Sequence, residues 1–188
     1  VDVATTRTEL VLPAGTWAVD PARSTVGFVA RHFVVTKVRG RFTRFAGTIT
    51  TGTAALGATV DAFAEAASLD TGDTTRDDHL RSADVFDVTR WPTLALRGTV
   101  TGRTRLGYLL EAQLTIRDVT RPVRFDVTAG RIGRGGDGRY RLSVLASATV
   151  NRKDFGLQWS ATLETGGVVV ADHVHLRLDV EAVRTGPP

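Results

Sequence analysis

No cysteine occurs in this sequence. That excludes disulfides, thiolate-held metals and a cysteine nucleophile. The redox compartment stays open, because a chain of this size folds without disulfides. Long apolar runs are also missing, and none approaches the roughly 20 residues of a membrane-crossing helix. The first fourteen residues, VDVATTRTELVLPA, have no basic start, no long apolar centre and no cleavage signature, so they do not read as a signal peptide. The expected compartment is cytoplasmic. A periplasmic or secreted location is kept open, since the chain opens on Val1 and not on Met.

The sequence has 188 residues, 42% of them hydrophobic and 23% charged, which suits one globular domain with a sizeable core. Net charge is +4, nearly all the cations being arginine. Arginine suits bidentate pairing with carboxylate or phosphate. Asp and Glu are interleaved with it, however, so the charge is a weak nucleic-acid signal.

Helical periodicity is scarce and period-two alternation dominates. In DHVHLRLDVEAV, Val174, Leu176, Leu178, Val180 and Ala182 oppose His173, His175, Arg177, Asp179 and Glu181. Similar runs carry Val26 and Phe28; Val60, Ala62, Ala64 and Ala66; Tyr108, Leu110, Ala112, Leu114 and Ile116; Val123, Phe125 and Val127; and Leu142, Val144, Ala146 and Ala148. In VRGRFTRFAGTIT the apolar parity switches between Phe42 and Phe45, which predicts a bulge near Thr43 and Arg44. Eight or nine strands result. Hairpin-sized connections such as RDVTRP and GRIGRGGDGR make the sheet antiparallel. One face is apolar, and no helix is long enough to cover it. Closing the sheet into an up-and-down barrel buries that face and removes the edges. Several inward positions are alanine. They either leave room for an apolar ligand or face larger side chains across a filled interior.

The densest charged stretch is TRDDHLRSADVFDVTRWP, Thr75 to Pro92. His79 with Asp77 or Asp78 offers metal-ligand types, but neighbours on a helix diverge and no second His is near. The preferred reading is a short helix near 75–87. Thr74 or Thr75 would be its N-cap, Asp77 and Asp78 would lie in its first turn, and Leu80, Val85 and Phe86 would be tucked inward. It would plug or flank one end of the barrel, with Arg76, Asp77 and Asp84 paired within it or to the rim. His173-x-His175 fits two metal ligands on a strand, yet lies on the charged face with no third ligand. GRIGRGGDGR has no following helix to complete a phosphate cradle. RGRFTRF mixes Arg and Phe as single-strand binders do, but its Phe residues fit the inward parity. Asp20, Ser24 and His32 lack the context of an activated serine.

The segments TWAVDPARSTVGFVARHFVVTKVRGRFTRFAGTI, ASLDTGDTTRDDHLRSADVFDVTRWP, LTIRDVTRPV and ATVNRKDFGL follow one another in an order and spacing that resembles the YceI-like family of polyisoprenoid-binding proteins. The pairing of Asp20-Pro21 and Ser24 with the distant Arg76-Asp77-x-His79-Leu80 is specific, and the resemblance runs from about Thr16 to about Val183. It implies a lipocalin-like barrel with an apolar channel, holding an isoprenoid, an isoprenoid quinone or a fatty-acid derivative. The sequence departs from the family pattern at Arg23, Val85-Phe86, Trp91-Pro92 and Leu94-Ala95-Leu96.

The fold expected is all-β, a single antiparallel eight-stranded lipocalin-like barrel over 16–184. An N-terminal extension covers 1–15 and a tail covers 185–188. The ligand contacts expected are Trp17, Phe28, His32, Phe42, Val60, Ala64, Leu80, Phe86, Val144, Ala146 and Leu176. Arg31, His32, Lys37 and Arg81 are candidates for the ligand's polar head. No catalytic residue, metal ligand or cofactor is expected. The partner is a long-chain isoprenoid or lipid, with no nucleic acid and no membrane span; a homodimer is kept as an option. The alternatives are a quinone or lipid enzyme on the same barrel and a nucleic-acid-binding barrel.

Overall fold

The computed structural model describes residues 12–32, 36–105, 107–158 and 170–186. Eleven β segments form one sheet: β1 (Gly15–Val19), β2 (Thr25–His32), β3 (Thr36–Phe42), β4 (Phe45–Thr51), β5 (Thr59–Glu65), β6 (Leu69–Asp70), β7 (Thr93–Arg103), β8 (Tyr108–Ile116), β9 (Val119–Arg134), β10 (Tyr140–Asn151) and β11 (Val170–Arg184). Three pairs of segments are single strands interrupted by a break. β1 and β2 both pair with β11, through Trp17 to Arg184 and Phe28 to Leu176. β3 pairs with β2 and β6, while β4 pairs with β1 and β5. Counted as continuous walls, these are eight antiparallel strands. β1 on β11 closes the ring, which is the eight-stranded barrel that the alternation predicts.

The breaks have local causes. Between β1 and β2 the chain makes a 3-10 turn, Pro21–Arg23. Asp20 caps it by accepting from the Ala22 N–H, and Pro21 stands where a free N–H has no partner to find. Ser24 Oγ then accepts from the Glu181 N–H at 3.0 Å and donates to the Glu181 carbonyl at 3.2 Å. The interrupted ladder is thereby repaired by a side chain.

A second break splits β3 from β4 at Thr43 and Arg44, where the parity switch places it. Opposite lies the 3-10 turn Ala66–Ser68, which splits β5 from β6. The run read as one strand through Ala66 therefore ends at Glu65. Ser68, buried, bridges the two breaks. Its Oγ accepts from the Arg44 N–H at 3.0 Å and donates to the Glu65 carbonyl at 2.7 Å.

The charged stretch contains α1 (Thr74–Arg81). Its N-cap is Asp73, whose carboxylate accepts from the Arg76 N–H, so the cap lies one residue before the expected threonines. Asp has the stronger cap chemistry of the two, and Thr74 opens the helix instead. Asp77 is buried and accepts from Thr71 through both the backbone N–H at 3.0 Å and Oγ1 at 2.5 Å. Arg76 donates to Thr71 Oγ1 and pairs with Asp73 at 3.7 Å. Among the described residues Asp84 has no ion pair, contrary to the expectation for it. Leu80 and Val85 are buried, and the half-buried Phe86 meets Phe42 edge-on with ring centroids 6.3 Å apart. Helix and following turns thus pack on the barrel beside β6.

Candidate functional site: an apolar cavity inside the barrel

Inward parity on the walls produces a cavity of about 210 Å³. Val26 and Phe28 of β2, Ile49 of β4, Val60 and Ala64 of β5, Leu96 of β7, Leu110 and Leu114 of β8, Phe125 of β9, Val144 and Ala146 of β10, and Leu176 and Leu178 of β11 line it. Phe42 and Phe45 both line it, because the break between them restores them to one side. Among the described residues the wall carries one ionisable side chain, Tyr108, and one other polar side chain, Thr51. The Thr51 hydroxyl is already used. It accepts from Trp17 Nε1 at 2.8 Å and lies 2.9 Å from the Pro13 carbonyl, to which it donates. Arg103 stands over the Tyr108 ring, 5.9 Å from its centroid. A ligand inside therefore meets hydrocarbon and aromatic surface almost throughout.

Glycines shape this wall. A Cβ on Gly40 would lie 2.2 Å from Phe28 Cζ, so the phenyl ring rests where a side chain would be. A Cβ on Gly47 would lie 2.8 Å from that of Ala62. Small residues on neighbouring strands bring backbone close to backbone and keep the interior narrow.

Of the residues expected to touch a ligand, Phe28, Phe42, Val60, Ala64, Val144, Ala146 and Leu176 are on the cavity wall. Trp17, Leu80 and Phe86 are not. Trp17 is fully buried with its indole bound to Thr51, and so backs the wall at one end. Leu80 and Phe86 belong to α1 and the turns after it, where Phe86 supports Phe42 from behind. His32 pairs through its backbone with Thr36 and Val170; its side chain, like that of Arg31, lies outside what the structure describes. Arg81, expected at the ligand's head, has its guanidinium bonded within the protein. Its Nε donates to the Ala67 carbonyl at 3.0 Å, another guanidinium nitrogen donates to the Leu69 carbonyl, and Nη1 pairs with Asp78 at 3.2 Å. It fastens α1 to the barrel. Lys37 lies exposed on the outer face.

Leu12, Ala55 and Ala58 also line the cavity, yet come from irregular segments where no periodicity could mark them. In the sequence Trp91 stands out as a departure from the family pattern, just before the strand that follows Pro92. The guanidiniums of Arg90 and Arg117 lie 4.4 and 4.6 Å from its ring centroid, and Arg117 also donates to the Val85 carbonyl. The β8–β9 turn so holds the segment after α1 in place.

No three His, Asp or Glu side chains converge on a metal-sized site among the described residues. His79 is exposed, and His175 Nδ1 lies 2.8 Å from Thr149 Oγ1 on the outer face. An open outer concavity of about 1090 Å³ is walled by ion pairs, Asp61 with Arg97 at 3.1 Å and Glu111 with Arg124 at 3.2 Å.

The YceI-like domain model matches residues 17–182, from the first strand of the barrel to its last. The chain belongs to the YceI-like family. A UPF0312 protein of Staphylococcus aureus is 30% identical over 166 residues, covering 86% of this chain and 94% of its own length. Burkholderia cenocepacia BcnA shares the fold at 23% identity, with a TM-score of 0.70 over 87% of this chain and 98% of that one. A polyisoprenoid binding domain from Saccharophagus degradans, implicated in plant cell wall breakdown, does so at 17% identity and a TM-score of 0.67, over 90% and 98%. The YceI-like signatures now have places in the barrel. Asp20-Pro21 and Ser24 build the break between β1 and β2, and Arg76, Asp77 and Leu80 anchor α1 against the barrel. They form the frame of the cavity and are not its lining.

Proposed function

We propose that this YceI-like protein binds one long apolar amphiphile, its hydrocarbon part inside the barrel, and acts as a carrier or store for it and not as an enzyme. An isoprenoid chain, an isoprenoid quinone or a fatty-acid derivative has the required chemistry. The observation that carries this reading is a cavity wall that, among the described residues, is apolar except for Thr51 and Tyr108, with the Thr51 hydroxyl bonded to Trp17 and Pro13. Family membership supports it, as does the fold shared with a domain named for polyisoprenoid binding. Burial contributes about 0.8 kcal/mol per CH2, so a tail of ten carbons has a gross gain on the order of 8 kcal/mol before ordering costs. Phe28, Phe42, Val60, Ala64, Val144, Ala146 and Leu176 are the proposed contacts.

Mass spectrometry of organic extracts from the purified protein tests the class, with a near-stoichiometric long-chain amphiphile as the expected result. Calorimetry with an isoprenoid quinone tests the energetics. Removal of apolar area from water gives a negative heat-capacity change. With no charge pair at the cavity wall, affinity should barely respond to salt. A heat-capacity change near zero with strong salt dependence would place the binding energy at the ligand's head, and the reading would fail.

A further inference from the structure

The strands that wall the cavity with Val26, Phe28, Leu176 and Leu178 carry a different chemistry on their outer side. Lys37, Arg39 and Arg41 point outward from β3 at alternate positions and are exposed. Register places Arg41 and Arg177 on either side of Gly27, and Arg39 and His175 on either side of Val29. The alternation spreads Lys37 to Arg41 over about 13 Å, and two strand spacings put Arg177 roughly 9.6 Å from Arg41. Gly27 leaves the floor between those two arginines without a side chain, the kind of strand position where a ligand can come close to the backbone. Arg41 pairs with Asp70 at 3.1 Å. Lys37, Arg39 and Arg177 have no ion pair among the described residues, whereas Arg97 and Arg124 on the far side of the barrel are each matched by a carboxylate.

We propose that this outer face of β2, β3 and β11 docks the protein on an anionic phospholipid surface. It is broad and exposed, and its cations Lys37, Arg39 and Arg177 outnumber its one carboxylate without an ion pair among the described residues, Asp179, which is charge complementarity to a layer of lipid phosphates. Single-stranded nucleic acid fits less well, because the described outward positions of these strands carry no Phe, Tyr or Trp ring on which a base could stack, only the smaller imidazoles of His173 and His175. The choice of a membrane rests on the proposed carrier function: an amphiphile that fills the cavity resides in membranes, and a protein that exchanges it gains by residing there too. Each basic residue near such a surface is worth a factor of about five in affinity, so three together give on the order of 100-fold.

The test is co-sedimentation with phosphatidylcholine vesicles, with and without phosphatidylglycerol. The wild type should pellet only with the anionic vesicles, and less so as salt rises. Replacing Lys37, Arg39 and Arg177 together by Gln should weaken binding on the order of 100-fold. A charge-matched control, Arg121→Gln with Arg131→Gln and Arg139→Gln, should stay near the wild type. Equal loss in both triple variants would reduce the effect to net charge and overturn the proposal. Equal binding to neutral vesicles would do the same, as would tighter binding of a single-stranded oligonucleotide by the same residues. Quinone uptake is measured on the same proteins. Uptake without vesicle binding removes the docking face and leaves the cavity reading intact; vesicle binding without uptake does the reverse.

Discussion

At Gly40 the absence of a side chain is a structural requirement, because the Phe28 ring occupies the space a Cβ would need, 2.2 Å from its Cζ. Gly40→Ala must push that ring toward the cavity it lines. Overpacking of this kind costs about 1–3 kcal/mol. Thermal or urea denaturation should show that loss, and Phe28→Leu in the same chain should recover part of it, since the collision is then relieved. Ala146 is a simpler case, buried on the cavity wall. Ala146→Phe fills volume that a ligand tail would use. Displacing even two CH2 groups weakens binding by about tenfold. Circular dichroism should show the fold retained, and quinone titration should show the loss; undiminished uptake by the folded variant would take Ala146 out of the binding surface.

The elements are held by polar side chains at the points where the strands are interrupted. Ser68 serves two breaks at once, and Ser24 serves a third. Removing a buried partner leaves backbone groups unsatisfied at about 1–3 kcal/mol each. Ser68→Ala should therefore lower stability by about that amount in a denaturant melt, although no apolar contact is lost. Asp77→Ala should loosen the turn from β6 into α1, and proteolysis between Thr71 and Trp91 should then outpace cleavage elsewhere. How much of this the sequence shows depends on the kind of signal. Alternation located the strands and seven cavity residues, because inward and outward side chains differ in polarity at every second position. The parity switch from Phe42 to Phe45 located a break. Nothing comparable marks Ser68, a small polar residue inside an apolar run, whose role depends on Arg44 lying across from it. Leu12, Ala55 and Ala58 reach the cavity from irregular chain, where spacing carries no information. Trp17 has the composition of a ligand contact, and its hydrogen bond to Thr51 alone shows that it serves the wall from behind.

On the scale of the whole molecule, three carboxyls titrate below their ordinary range. Asp70 is held there by the Gly72 N–H and then by Arg41, Asp137 by the Arg139 N–H and then by Arg141, and Asp172 by Lys153 and then by Arg152. A carboxyl whose folded pKa is depressed contributes stability above its unfolded pKa and loses it as pH falls through the folded value. Melting temperature should thus be level near neutrality and decline below about pH 4. Asp137→Asn should make the decline shallower; an unchanged acid slope would mean that the Arg141 cluster contributes nothing to it. Another consequence follows from β11, which holds β10 on one edge and both β1 and β2 on the other. The ring cannot close until Arg184 meets Trp17. On a ribosome adding about 5–20 residues per second, the first strands wait on the order of 10 s or more for their final neighbour. Throughout that delay the nascent edges are open to pairing with other chains, and mutations that slow the arrival or docking of the last strand should reduce soluble yield far more than they reduce the stability of molecules already folded.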